Sequence, residues 1–113
     1  MSEMIARFEA MLESGQDSAM LRLALANALV GDGRTADAIP HLEQALELDA
    51  GYSAAWKLLA KSLLAAGQPE RVLDVCARGI QVATNKGDLQ AAREMEVYAK
   101  RARRQRDEPP TEP

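Results

Sequence analysis

The sequence "LALANALVGDGRTADAIPHLEQALEL" at residues 23–48 recurs in altered form as "KLLAKSLLAAGQPERVLDVCARGIQV" at residues 57–82. An offset of 34 residues aligns the two copies and makes four pairs identical, namely Leu25 with Leu59, Ala26 with Ala60, Leu29 with Leu63, and Gly33 with Gly67. The other apolar positions match in character, whereas the freely varying positions are mostly polar. Such self-similarity at a fixed period indicates a fold built from repeated structural units.

The first segment of each copy predicts an amphipathic helix. Residues 19–30 and 54–65 carry apolar residues three and four positions apart, which places those side chains on one helical face. Gly33 and Gly67 follow these segments. Because glycine adopts the left-handed backbone conformation without strain, each of the two is expected to end its helix in a tight turn.

The second segment of each copy predicts another helix, so each copy is a helical hairpin. In the later copy this helix is expected to begin at Pro69, because proline lacks the N–H group that a first helical position leaves unpaired. In the earlier copy Pro40 lies near the helix start and favours Asp37 over Thr35 as the N-cap residue.

The flanking segments predict partial copies of the repeat. Residues 1–16 align with the second helix of the first copy and predict a half-repeat helix. After the turn signal "TNKGD", residues 88–104 predict a final helix whose register against the repeat is ambiguous. We therefore expect an all-α domain of about six helices over residues 1–104 and a disordered tail at residues 105–113. Its expected units are 1–16, 19–52, 53–86 and 88–104.

The period and the hairpin pattern resemble the tetratricopeptide repeat (TPR), a family of stacked antiparallel helical hairpins. In the copy at 53–86 the matching residues are Trp56, Leu59, Ala60, Leu63 and Gly67. In the copy at 19–52 they are Leu25, Ala26, Leu29, Gly33, Ala38, Leu42 and Ala45. The departures are Arg22 for the first aromatic residue, Ala50 and Thr84 for a proline, and Val72 and Gly79 for two alanines.

The resemblance implies a binding module rather than an enzyme. Stacked hairpins bury the apolar sides that each hairpin exposes alone, and such stacks present concave surfaces to partners. We therefore expect a non-catalytic adaptor or scaffold, without cofactor, that binds a peptide segment or a protein surface. We also expect a monomer or a weak homodimer. The sequence does not name the partner.

The resemblance also implies where the partner would bind, because the first helix of each hairpin lines the inner groove in this family. The expected groove residues are Met20, Leu23, Asn27 and Val30 from the first copy, with Lys57, Lys61 and Leu64 from the second. Lys57 and Lys61 are four residues apart and so share a helical face, which suits a segment carrying a carboxylate. The alternatives are that the two lysines only solvate the helix, and that Met20 and Leu23 are buried under the N-terminal helix.

One well-known TPR function fits this sequence poorly. The carboxylate clamp of the family, which binds the C-termini of chaperones, uses a lysine and an asparagine in its first copy. Asn27 matches that asparagine, but Leu23 stands in place of the lysine. The sequence therefore argues against a receptor for chaperone tails.

The residues give little support to a catalytic or metal-binding function. His41 and Cys76 are the single members of their kinds, and one of each cannot supply a four-ligand zinc site. The repeat register places Cys76 in the core and His41 towards the exterior, so a nucleophilic pair is not expected. The glycines at 31 and 33 end a helix, where the helix dipole repels a phosphate.

The charge distribution leaves a second candidate site at the C-terminal end. Residues 1–99 hold nine basic and fourteen acidic residues, whereas residues 100–113 hold five basic and three acidic ones. The basic segment at 100–106 is an alternative site for a nucleic acid or an acidic surface, although no aromatic residues interleave with its arginines to stack bases. A self-associating structural unit is a further alternative. No apolar run approaches a membrane span of about 20 residues, so we expect a soluble cytoplasmic protein.

Overall fold

The computed structural model describes residues 2–108, which form six α-helices and contain no β-strand. The expected all-α class is therefore confirmed. The helices are α1 (Ser2–Glu13), α2 (Ala19–Gly31), α3 (Thr35–Leu48), α4 (Ser53–Ala65), α5 (Pro69–Asn85) and α6 (Leu89–Asp107). Each helix packs against the next in the chain, and α6 also packs against α4.

The glycine turns between paired helices form as expected. Gly33 and Gly67 have positive φ angles of 78° and 72°. The residue after each glycine donates its N–H back into the preceding helix, to the carbonyl of Leu29 at 2.8 Å in one case and of Leu63 at 3.0 Å in the other. These bonds satisfy carbonyls that the helix end would leave without donors. The two hairpins α2–α3 and α4–α5 are therefore closed by the same turn.

The start of α3 differs from the prediction. Asp37 is not the N-cap, because the helix already begins at Thr35 and contains Pro40 in its interior. The acceptor that loses its donor to Pro40 is the carbonyl of Ala36, and Ala36 is exposed, so water can replace the donor. The early start is favoured because it buries Ala38 and Ile39 against the core.

Two extra residues resolve the register of α6. α4 begins 34 residues after α2, but α6 begins 36 residues after α4. α5 has 17 residues, three more than the 14 of α3. The loop after α5 is one residue shorter than the loop after α3, so the net increase is two residues. With this offset Met95 takes the place of Leu59 and is fully buried. α6 is thus the first helix of a third, incomplete repeat.

The C-terminal boundary of α6 also needs correction. We expected it near residue 104 with a disordered tail from residue 105, but the helix continues to Asp107. Arg104 and Arg106 lie in its last turn, where the helix dipole favours cations. The rest of the predicted tail, residues 109–113, lies outside the described residues.

Arg22 occupies the repeat position of Trp56 and ties three segments together. Its guanidinium pairs with Asp17 at 2.9 Å and donates to Nδ1 of His41 at 2.9 Å. This bond needs a neutral imidazole with its proton on Nε2. Partial burial, and then the Arg22 cation, lower the pKa of His41 from its usual value of 6.5.

The free energy of unfolding is therefore expected to depend on the protonation of His41. The contribution of this group is fully present above about pH 6.5 and is lost as the pH falls through the lower pKa of the folded state, because the unfolded chain takes up the proton first. Urea unfolding of wild type and His41→Gln between pH 7.5 and about pH 5 measures this. A wild-type pH slope identical to that of the variant would contradict the assignment.

Candidate functional site

The inner side of the stack carries a groove formed by the first helices of the repeats. α2, α4 and α6 contribute its walls, which enclose about 290 Å³. The lining residues are Leu23, Asn27, Ala54, Lys57, Leu58, Lys61, Glu94 and Tyr98. Apolar side chains form part of the surface, and amide, ammonium, carboxylate and phenol groups are the polar ones.

The groove brings together four of the residues expected from the sequence, Leu23, Asn27, Lys57 and Lys61. Met20 is not among them: it is 73% exposed, so its alternative placement beneath α1 is wrong. Leu64 is half-buried and lies outside the groove lining. Leu23 is half-buried against the core and also reaches the groove.

The two lysines of the groove are not equivalent. Nζ of Lys57 lies 3.2 Å from Oε2 of Glu94, so α6 supplies a counter-charge to this ammonium group. Lys61 is exposed and makes no ion pair with any residue between 2 and 108. The expected pair of free ammonium groups is thus reduced to that of Lys61, which lines the same groove as Asn27.

Glu94 and Tyr98 are groove residues that the sequence reasoning missed. They lie four residues apart on α6 and so face the same way. The offset of 36 residues, had it been recognised, would have aligned them with Leu58 and Ser62 of α4. Burial is the main cause that raises the pKa of Tyr98, so its hydroxyl stays protonated at neutral pH and can donate a hydrogen bond.

Asp88 fixes the position of α6 as a wall of the groove. Its carboxylate caps α6 by accepting the N–H of Ala91 at 3.1 Å. The same carboxylate accepts the hydroxyl of Ser53, the first residue of α4, at 2.8 Å. The bond from Ser53, and then the bond from Ala91, lower the pKa of Asp88. α6 therefore docks beside α4 as a cap that lines the groove, and it does not cross the groove.

A larger depression of about 570 Å³ lies on the opposite side, between α3 and α5 with α4 as its floor. Three of its five charged side chains, those of Glu43, Arg71 and Arg78, are engaged within the chain. Arg71 pairs with Glu43, and the guanidinium of Arg78 stacks 5.1 Å from the ring centroid of Trp56. The Trp56 indole N–H, in turn, donates to the carbonyl of Ala50 at 2.8 Å. These contacts join α3, α4 and α5 around the depression.

The residues considered for chemistry are not assembled into a reactive site. Cys76 is 1% exposed in the core, and burial raises its pKa to about 11, which keeps the thiol protonated. His41 is engaged with Arg22 instead. Residues 2–108 contain no cluster of three or more metal-ligating side chains. The same range includes no helix long and apolar enough to cross a membrane.

The basic segment at 100–106 lies on the last turns of α6. Ala102 is buried, whereas the cationic side chains of the segment are exposed. Arg106 pairs with Asp107 at 2.9 Å. The segment thus presents one face of a helix to solvent and anchors the other in the core.

The family model of the tetratricopeptide repeat matches residues 29–95, more than half of the sequence. The chain belongs to the TPR family. It is 38% identical over 103 residues to the TPR repeat-containing protein PA0015 of Pseudomonas aeruginosa, covering 91% of this chain and 98% of that protein. The solution structure of protein BPP2914 from Bordetella parapertussis is similar as well, with a TM-score of 0.75, 35% identity and coverage of 88% of this chain and 87% of that one. TPR repeats are generally protein–protein interaction modules.

Proposed function

We propose that this TPR protein is a non-catalytic adaptor that binds a segment of another protein in the groove formed by α2, α4 and α6. The observation that carries the proposal is Lys61, which is exposed, has no ion-pair partner among residues 2–108 and lines the same groove as Asn27, Leu23 and Leu58. Such a surface recognises an apolar side chain and a carboxylate that lie close together in the partner.

The groove suits a short segment with little rearrangement. Three helices packed side by side span about 20 Å, which is room for roughly six residues in an extended conformation. The bonds of Asp88 to α4 and α6 hold the walls in place before binding. A preformed groove lowers the entropy that binding costs, because fewer side chains have to be ordered.

Within the groove the polar groups have different proposed tasks. Lys61 attracts the carboxylate of the partner, and the Asn27 amide donates to it or to the partner backbone. The Tyr98 hydroxyl donates from the facing wall. The Lys57–Glu94 pair holds α4 and α6 together and presents a carboxylate as well, which disfavours segments that carry a second negative charge there.

Lys61→Glu is expected to weaken binding of a groove peptide by about tenfold or more, the effect of about 1.4 kcal/mol. The probe is a free peptide selected on the wild-type protein from a library of short random peptides that end in a free carboxylate. Fluorescence anisotropy measures its affinity for each variant. The loss should shrink at high salt, because the attraction is partly screened.

Lys86→Glu is the matched control for this charge reversal. Lys86 is exposed beside the α3–α4 loop, next to Gly51, and does not line the groove. The Lys86→Glu substitution should leave the affinity for the peptide within about twofold of wild type, a change below about 0.5 kcal/mol. Equal affinities for wild type and Lys61→Glu would contradict the proposed role of the groove.

A further inference from the structure

The exposed large hydrophobic side chains of the described residues cluster at the two ends of the stack. Met4 on α1 and Met20 at the start of α2 are 54% and 73% exposed. Leu89 and Val97 on α6 are 52% and 46% exposed. The remaining one, Leu48, lies at the end of α3 in the middle of the stack. Four of these five exposed hydrophobic side chains therefore lie on the first two helices or on the last one.

The repeat register explains the exposure at the N-terminal end. Met4 lies 34 residues before Ala38 and 68 before Val72, and both of these are fully buried. α1 packs against α2 as α3 packs against α4, so this contact does not cover the position. The cover missing from Met4 is therefore the first helix of its own repeat, which residues 2–108 do not contain.

The C-terminal end shows the reverse arrangement. α6 is a first helix, and the second helix of its repeat is absent from residues 2–108. Ala26 and Ala60 are fully buried in α2 and α4, whereas Glu96 at the equivalent position of α6 is exposed. A depression of about 430 Å³ remains between α5 and α6, lined by residues that include Ile80, Val97, Lys100 and Arg103.

The two ends complement each other in structure and in charge. Within residues 2–108, α1 is a second helix without its first, and α6 is a first helix without its second. α1 carries three glutamates and one arginine, a net charge of −2. The C-terminal depression carries Arg93, Lys100 and Arg103 against Glu96. Each end thus carries the kind of helix that the other end lacks. The two ends also differ in charge, since α1 is acidic and the depression at α6 is basic.

We propose that a second copy of the chain covers each end, with α6 of one copy packed against α1 and α2 of the next. Val97 would then lie near Met20, and the basic depression of α6 would face the acidic helix α1. The pair completes one helical hairpin between two chains and continues the groove from one copy into the next. Because the two surfaces differ, the interface is heterologous, and further copies can add in the same way.

The test uses one variant for each end, studied by sedimentation velocity over a wide range of protein concentration. Met4→Glu with Met20→Glu blocks the N-terminal end, and Val97→Glu blocks the C-terminal end. Leu48→Glu is the control, because it places the same charge on an equally exposed hydrophobic position elsewhere. All four substituted positions are about half exposed or more, so helix content by circular dichroism should match wild type.

Head-to-tail stacking predicts a distinctive result. The mass of wild type and of Leu48→Glu should rise with concentration beyond two chains, while each end variant alone should stay monomeric. A mixture of the two end variants should form a two-chain species and nothing larger, because one intact surface of each kind remains. A monomeric wild type, a monomeric mixture, or association lost only with Val97→Glu would each overturn the proposal. The groove is intact in all these variants, so the peptide assay tests the proposed function separately.

Discussion

Gly79→Ala is expected to lower the free energy of unfolding by about 1–3 kcal/mol, the usual range for overpacking a core. Gly79 lies within α5, where that helix passes close to α4 and α6. A Cβ at this position would lie 2.6 Å from Sδ of Met95 and 2.9 Å from Cβ of Trp56. Met95 can change its rotamer, but Cβ of Trp56 is fixed to the backbone of α4. The helices would therefore have to separate.

The sign of this effect distinguishes close packing from helix propensity. Alanine is preferred over glycine in a helix interior by about 1 kcal/mol, so propensity alone predicts stabilisation by Gly79→Ala. Gly31→Ala is the control, because Gly31 ends α2 and its added Cβ would meet no atom within 4 Å. That variant should gain about 0.4–1 kcal/mol in urea unfolding. Stabilisation by both substitutions would contradict the described approach of α4 and α5.

Met95→Ala is expected to cost about 2–5 kcal/mol, as for other fully buried methionines and leucines. Met95 is 0% exposed, on the face of α6 that packs into the core, and occupies the place that Leu59 has in α4. Its loss leaves a cavity beneath α6. Because α6 packs against both α4 and α5, the denaturation curve should shift as one cooperative transition.

Val97→Ala provides the matched control on the same helix. Val97 is 46% exposed, so the change should alter stability by no more than about 0.5 kcal/mol at low protein concentration. Equal, small effects of the two substitutions would mean that α6 is not docked. In that case Glu94 and Tyr98 would not form a wall of the groove.

The sequence predicts the parts of the fold that depend on local pattern and on the period. Gly33 and Gly67 end their helices where the alignment places them, and Cys76 is buried as the register of Leu42 indicates. The start of α3 differs from the prediction because the preference of proline for the first turn of a helix does not decide it. Here the burial of Ala38 and Ile39 prevails over the loss of one hydrogen bond.

The candidate site is harder to predict because it depends on contacts between distant helices. The longer α5 shifts α6 by two residues from the period, and this shift brings Glu94 to Lys57. The exposure of Met20 likewise depends on how α1 packs beside α2. Neither effect is visible in the pattern of one segment alone.

The repeat also shows how neighbouring substitutions compensate each other in volume. The first copy pairs Arg22 with Ala45, whereas the second copy pairs Trp56 with Gly79 at the equivalent positions. The larger side chain in one helix accompanies the smaller one in the facing helix. Two departures from the family pattern, at Arg22 and Gly79, are therefore consistent with the same close packing.

The measurement that tests the proposed binding groove most directly is a two-dimensional ¹H–¹⁵N NMR titration of the labelled protein with the selected peptide. We expect shift changes concentrated at Asn27, Lys61 and Tyr98, on three different helices of the inner side. Shift changes concentrated instead around Trp56 and Arg78, on the opposite side between α3 and α5, would contradict the proposed binding groove.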